Sequence, residues 1–483
     1  MYLTELKSNI IKPMQAKQQI ISRTENNERI LEFIKLRNEN FKNSPTKMID
    51  SCLERNRKAI VLDRIMVQAD TPNQHLELVP DEIKRQTASH FQNIAGSTNR
   101  DVSNDNSPNF NSNWNNWERH YEPIEAIDND CYSGIMDIPT YDDWLLTLKH
   151  LPDHKAPGPS KITNEMLKKL GPKMNRFLYT IICACFISSF TPLQWNLAYV
   201  YLIPKPKSWN CKLDNTRPIT LLDTVRKAFV KILNHRLQNV FIKNNILKGL
   251  NFAGLPHQST MDPLHIVNNI LEYHRLNKKF DKTNHSNLYI LFQDMSKAYD
   301  RVNIYMLRKA MARLKIPFEF TNVITNLFLN RKNSVFTAYG NTDPYDVIVG
   351  IDQGEVISPL LWVIYYDPLL SRIQKSNYGY KMSVSWQPDI TKTETSEISA
   401  HIPNSAYMDN TIWITDSITN LTAIFDIAQS FFDLNSMKVN NDKSFILTSE
   451  ATEVDISIFS EFLNQPISFP TKKPSESTRY LGV

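Results

Sequence analysis

Residues 288–292, LYILF, form an apolar run without a polar break, and an acid, Asp294, follows almost at once in the string FQDMSKAYD at 292–300. Such a run reads as a strand buried on both faces, ending in a carboxylate. About a hundred residues later, AYMDN at 406–410 sets a second acid, Asp409, between two apolar stretches. Two carboxylates far apart in sequence, each at the end of a buried strand, are what a two-metal phosphoryl-transfer site requires. Magnesium prefers hard oxygen ligands and takes one or two carboxylates from a protein, leaving room for phosphate oxygens.

The chain of 483 residues is long enough for two or three domains, and 41% hydrophobic against 22% charged residues lets most of it bury a core. Only 11 glycines stand beside 26 prolines, which argues against a glycine-rich nucleotide cradle. The net charge of +5 is unevenly spread. Residues 201–250 carry ten Lys/Arg and two Asp, whereas 386–462 carry twelve acids and three bases. A basic strip beside an acidic region fits a polyanion held next to a metal site, although either is equally a solvated face. The five cysteines are odd in number and form no C-x-x-C pair, which predicts reduced, intracellular thiols and no zinc. The N-terminus lacks a signal pattern, and the longest apolar stretch, 178–190, is too short to span a bilayer and reads as a buried helix.

Residues 19–38 predict an exposed helix or coil, and the Asn/Ser-dominated stretch 97–116 predicts a linker. From Trp117 onward the pattern is globular: a Pro/Gly loop and helix start at 155–167, a strand at 199–207, and a Pro-containing loop at 216 leading into a basic amphipathic helix to 237. Asn303 caps a helix carrying Ile304, Leu307, Met311 and Leu314 on one face, and Asp409-Asn410 reads as a two-residue hairpin turn.

Taken in order, KAPGPSKITNEML, LIPKPK, RPITLL, FAGLPHQSTMD, FQDMSKAYD, QGEVISPLL, AYMDN, MKVNNDKS and YLG resemble the reverse transcriptase domain of non-LTR (LINE-type) retrotransposons over residues 117–483. No single piece is decisive, but the ordered set is specific. The resemblance implies an α+β right-hand polymerase fold with fingers and palm. Ahead of it the sequence predicts a helical, partly disordered N-terminal region (1–96) and an Asn/Ser-rich linker (97–116), and the resemblance divides the rest into an N-terminal extension (117–184) and fingers and palm (185–483). The implied partners are an RNA template, a DNA primer and deoxynucleoside triphosphates, with no membrane. The implied cofactor is Mg2+ or Mn2+, and the family adds the nucleus as a place of action.

The resemblance also implies roles. Asp294 and Asp409 are the metal-binding catalytic acids, with the backbone carbonyl of Met295 as a further ligand. Lys205 and Arg217 hold the triphosphate, Lys207 being an alternative to Lys205. Tyr299 excludes the 2′-hydroxyl; without the family it is equally a core aromatic at a helix start. Gln353, Gly354 and Ser358 line the nucleotide site, the glycine allowing close backbone approach, whereas the bare pattern is also a loop before a Pro-started helix. Lys443 protonates leaving pyrophosphate or is simply a turn lysine.

Two departures stand out. Asn410 occupies the place of the family's second adjacent aspartate, and the sequence stops at Val483, where the thumb would begin. No endonuclease or RNase H segment is expected. The leading expectation is therefore an RNA-directed DNA polymerase domain, a nucleotidyltransferase truncated and impaired by Asn410. The alternatives are an inactive remnant that binds nucleic acid and a domesticated scaffold that keeps the fold.

Overall fold

Both faces of the strand Tyr289–Gln293 are covered, as its uninterrupted apolar sequence requires. The computed structural model describes residues 12–43, 60–96, 113–205, 208–280, 287–386, 396–440, 443–450, 455–472 and 480–481. It divides the chain into two units, residues 1–60 and 61–483. The first contains helix α1 (Lys12–Asn43), whose Ile21, Ile30, Leu31, Phe33 and Ile34 are exposed; of the exposed helix or coil expected at 19–38, it is the helix.

The second unit opens with a hairpin of β1 (Ile65–Val67) and β2 (His75–Glu77), then α2 (Pro80–Ile94). Leu62, Ile65, Ile83 and Phe91 pack against Val200, Leu202, Val335 and Val347, so residues 61–96 share a core with the chain far downstream. Of the expected linker, 97–112 lie outside the described residues, and 113–116 begin α3 (Asn113–Trp117), which buries Asn113 and Trp117. Helices α4 (Tyr141–Lys149), α5 (Asn164–Lys168) and α6 (Pro172–Ser188) follow. Within the apolar stretch 178–190 only one helix face is core: Ile182, Cys185 and Phe186 are buried, whereas Ile187 and Phe190 are exposed.

Next come β3 (Leu197–Pro204), β4 (Thr216–Leu221) and α7 (Thr224–Asn244). The predicted loop at 216–221 is thus a strand. Pro218 is tolerated because β4 is the edge of its sheet, where no neighbour on the far side needs an N–H. The predicted amphipathic helix is α7, but eleven of its residues are buried, Arg226 among them. After α8 (Met261–Phe280), β5 (Tyr289–Gln293), α9 (Ile304–Arg313) and α10 (Phe318–Asn326), the chain returns to the first sheet with β6 (Arg331–Thr337), β7 (Gly340–Asn341) and β8 (Tyr345–Val347). That sheet has the order β4-β3-β6-β7 with β8 also on β6. As expected, Asn303 caps α9, its Oδ1 accepting the N–H groups of Tyr305 and Met306.

The remaining elements are α11 (Ser358–Gln374), β9 (Tyr380–Trp386), β10 (Ser396–Ile402), β11 (Asn404–Tyr407), β12 (Asn410–Thr415), α12 (Ile418–Leu434), β13 (Phe445–Thr448), β14 (Ile456–Ser460), β15 (Gln465–Phe469) and β16 (Thr471–Lys472). The second five-stranded sheet, expected for the palm, runs β11-β12-β5-β13-β16. Its faces alternate as strand geometry dictates. Tyr289, Leu291, Trp413 and Ile446 join the main core with α11 and α12, whereas Ile290, Phe292, Ile412, Ile414 and Leu447 pack with Ile270 of α8 and Tyr380 of β9. The protein is therefore a mixed helix and sheet molecule, and none of its described helices is long and apolar enough to cross a membrane.

Candidate active site

β5 lies between β12 and β13, with Thr411 opposite Gln293 and Phe445 opposite Phe292. This register brings Asp294, the residue after β5, to the same sheet end as the turn joining β11 to β12. In that turn Tyr407 pairs with Asn410, so the two turn residues are Met408 and Asp409. The predicted turn of Asp409-Asn410 is therefore shifted by one residue. Met408 takes the left-handed conformation (φ +55°), and Asn410 is the first residue of β12.

Asp409 feels the charge of its neighbours. Burial pushes the Asp409 carboxyl up to about 6. Its own backbone N–H opposes that shift, the Asp294 carboxylate adds to it, and Lys443 and Arg217 pull it back. Lys443 Nζ bonds Asp294 Oδ2 at 2.7 Å, and the Asn440 N–H donates to the Asp294 carbonyl at 2.8 Å. Met295, the expected backbone ligand, is buried and bridges to Val439. Among the described residues no three His, Cys, Asp or Glu cluster as a complete metal cage. Two carboxylates at one sheet end are nevertheless the donor set that magnesium takes from a protein when phosphate oxygens supply the rest.

Tyr299, in a single 3-10 turn, lies against this hairpin. Its hydroxyl meets Met408 Sδ at 3.4 Å and its ring tilts over Trp362 at 6.0 Å. Burial and then the Asp409 carboxylate push its phenol up. Arg217 is exposed on edge strand β4, while Lys205 Nζ donates to the Asp214 carbonyl at 2.7 Å. Lys207 lies outside the described residues.

Gln353 and Gly354, in the stretch between β8 and α11, lie against β4. The Gln353 carbonyl accepts from the Thr220 N–H at 2.9 Å, and a Cβ on Gly354 (φ +150°) would lie 2.3 Å from the Thr220 carbonyl oxygen. The close approach that requires glycine is thus to β4, where the sequence predicts an approach to nucleotide or template. Ser358, also expected against the nucleotide, is fully buried at the start of α11, and its hydroxyl makes no hydrogen bond among the described residues.

Sequence reasoning missed the groups that hold this loop. Arg226 Nε bonds Glu355 at 2.8 Å, its Nη2 bonds Asp352 at 3.1 Å and its Nη1 bonds the Trp195 carbonyl at 2.6 Å. Arg331 bonds the other Asp352 oxygen at 2.7 Å and the carbonyls of Val349 and Gly350. Asp352 and Glu355 flank Gln353-Gly354, and the signal was two acids bracketing a QG motif. The basic strip at 201–250 is corrected accordingly. Arg226 is interior, Lys231 and Arg236 donate to the carbonyls of His150, Ile135 and Asp137, and Lys212 pairs with Asp70. The strip reads as one basic surface only while Arg226 is assumed exposed and Lys212, Lys231 and Arg236 unpartnered.

The family described as "Reverse transcriptase (RNA-dependent DNA polymerase)" matches residues 203–483. Among curated proteins, the probable RNA-directed DNA polymerase from transposon BS of Drosophila melanogaster is 26% identical over 250 residues, covering 51% of this chain and 27% of that protein. The Pol polyprotein from the type-1 retrotransposable element R2 of Popillia japonica is 24% identical over 336 residues, covering 68% and 42%. The chain thus spans less than half the length of either relative. Among solved structures, apo telomerase from Candida tropicalis is similar with a TM-score of 0.38 and 14% identity, over 62% of this chain and 54% of that one.

Proposed function

Because the chain belongs to the reverse transcriptase (RNA-dependent DNA polymerase) family, with residues 203–483 matched, we propose that it adds deoxynucleotides to a DNA primer on an RNA template. The observation that carries this reading is the convergence of Asp294 and Asp409 on one sheet end, with Lys443 and Arg217 acting on the same carboxylate. Asp294 and Asp409 would hold Mg2+ or Mn2+, with the Met295 carbonyl as a further oxygen. Bound there, a divalent ion supplies charge neutralisation for the reacting phosphoryl group.

The chain's own side chains do the rest. Arg217 and Lys205 bind the triphosphate and orient it toward the acids, offsetting charge on the leaving phosphates. Tyr299, packed against Met408 and Trp362, limits the space under the sugar and disfavours a 2′-hydroxyl. Lys443 provides a proton at Nζ for the departing pyrophosphate. Gln353 and Gly354 fix the start of α11 against β4, held by the buried Arg226 and Arg331 through Asp352 and Glu355. Asn410 supplies an amide where the family has a second carboxylate, which lowers the negative charge available to balance the cations.

The test is primer extension on a primed RNA template with Mg2+ and deoxynucleotides, comparing the chain with Asp294→Asn. Addition that disappears in the variant supports the reading. Addition that survives refutes the assignment of the site. Salt-sensitive template binding without any addition identifies a nucleic-acid-binding remnant, and neither binding nor addition identifies a scaffold.

A further inference from the structure

The residue immediately before Asp409 is held in place from outside its own hairpin. Met408 has φ +55°, a region that side-chain-bearing residues avoid. Asn251, 5% exposed, grips it from both sides: Asn251 Oδ1 accepts the Met408 N–H at 3.2 Å and Asn251 Nδ2 donates to the Met408 carbonyl at 3.3 Å. The Trp362 indole N–H donates to the same carbonyl at 2.8 Å.

Asn251 is itself fixed. Its segment runs parallel to β11, with the Ala406 N–H donating to Leu250 at 2.8 Å and the Phe252 N–H donating to Ala406 at 2.9 Å. Just upstream, Asp367 Oδ1 accepts the N–H groups of Gly249 at 3.0 Å and Lys248 at 3.3 Å, while its Oδ2 pairs with the nearly buried Arg313. A Cβ on Gly249 would come within 2.7 Å of Leu370 Cβ, so this backbone lies directly against α11.

We propose that Asn251 is a positioning residue for Asp409, locking the Met408 peptide in the left-handed turn that directs the next side chain toward Asp294. A carboxamide is the side chain suited to the task. It offers one donor and one acceptor, an aspartate lacks the donor, a leucine lacks both, and a glutamine is one methylene too long. The proposal rests on the reading of Asp294 and Asp409 as a cation-dependent active site.

The full chain is compared with Asn251→Leu and Asn251→Gln by amide hydrogen exchange, by Mn2+ titration followed by electron paramagnetic resonance, and by primer extension. In Asn251→Leu the peptide containing Met408 is expected to exchange faster while peptides from β5 and the interior of β12 keep their protection. Mn2+ affinity is expected to fall about tenfold, and kcat to fall with KM for the deoxynucleotide nearly unchanged. Asn251→Gln should show the same changes, smaller in size. If Asn251→Leu does not fold, Asn251→Gln carries the test. Unchanged exchange at Met408 in a folded variant overturns the proposal. A wild-type chain that neither binds Mn2+ nor extends a primer refutes the active-site reading instead, and the exchange result still decides whether Asn251 holds the turn.

Discussion

Lys443 Nζ lies 2.7 Å from Asp294 Oδ2, an ion pair that ties the turn before β13 to the end of β5. The lysine is otherwise well exposed, so its position is set by the carboxylate and not by packing. If its proton serves the leaving pyrophosphate, Lys443→Ala should slow single-turnover nucleotide addition about 10²-fold or more, with little change in deoxynucleotide affinity. Lys443→Arg should keep the ion pair and recover only part of the rate, because an arginine gives up its proton poorly. Equal rates in all three would leave Lys443 a turn residue.

Asp409 should cost the cation-free protein stability. Its folded carboxyl is raised to about 6 from an ordinary 3.8, so the folded state disfavours the charged form. A raised value means stability that is full below the unfolded value and lost as pH rises through the folded one. Asp409→Asn should therefore stabilise the cation-free chain at pH 7 by roughly 1–3 kcal/mol, with the gain disappearing below about pH 4. Thermal melts across pH in the presence of a chelator measure this. A destabilised variant at pH 7 would mean that Asp409 makes stabilising contacts in the fold.

Asn410 opens β12 opposite Tyr407 and is not left-handed. Its tolerance is that of a strand residue and does not depend on the turn-forming habit of asparagine. Asn410→Asp should keep the hairpin but add a third carboxylate beside Asp409 and Asp294, lowering the melting temperature without cation. With Mn2+ or Mg2+ present the extra charge should raise extension by about 10²-fold, the scale of one preorganised electrostatic group. The measurement is paired melts and primer extension with and without cation. Equal robust extension by both chains would show the second carboxylate to be dispensable.

Arg226 is fully buried with Glu355 and Asp352. Arg226→Met leaves these acids short of a partner and should destabilise by about 3–5 kcal/mol. Glu355→Gln in the same chain should recover part of that loss, since it removes one of the stranded charges. Urea denaturation of the two single variants and the double variant forms the cycle. Additive losses would show that Arg226 and Glu355 do not act as a pair.

The sheet carrying the site was legible because its signal is local. An apolar run before Asp294 and apolar flanks around Asp409 mark buried strands whatever lies between them. The register of the hairpin was not legible, since Met408-Asp409 and Asp409-Asn410 turns differ by one residue, and long-range pairing with Asn251 and Trp362 selects between them. Pro218 read as a loop because the edge position of β4 follows only from the assembled sheet. The basic strip misled for a similar reason. Arg226 carries the same charge in sequence whether it faces solvent or Glu355. Asn251 lay just before FAGLPHQSTMD, and nothing in the sequence marked its contact with Met408.

The most direct test of the account is whether Asp294 and Asp409 together form one cation site. Mn2+ titration of the chain at neutral pH, read by electron paramagnetic resonance, should show binding that weakens sharply on Asp294→Asn and equally on Asp409→Asn, and that strengthens when a deoxynucleoside triphosphate is added. Mn2+ binding unaffected by either substitution, with or without the triphosphate, would contradict it.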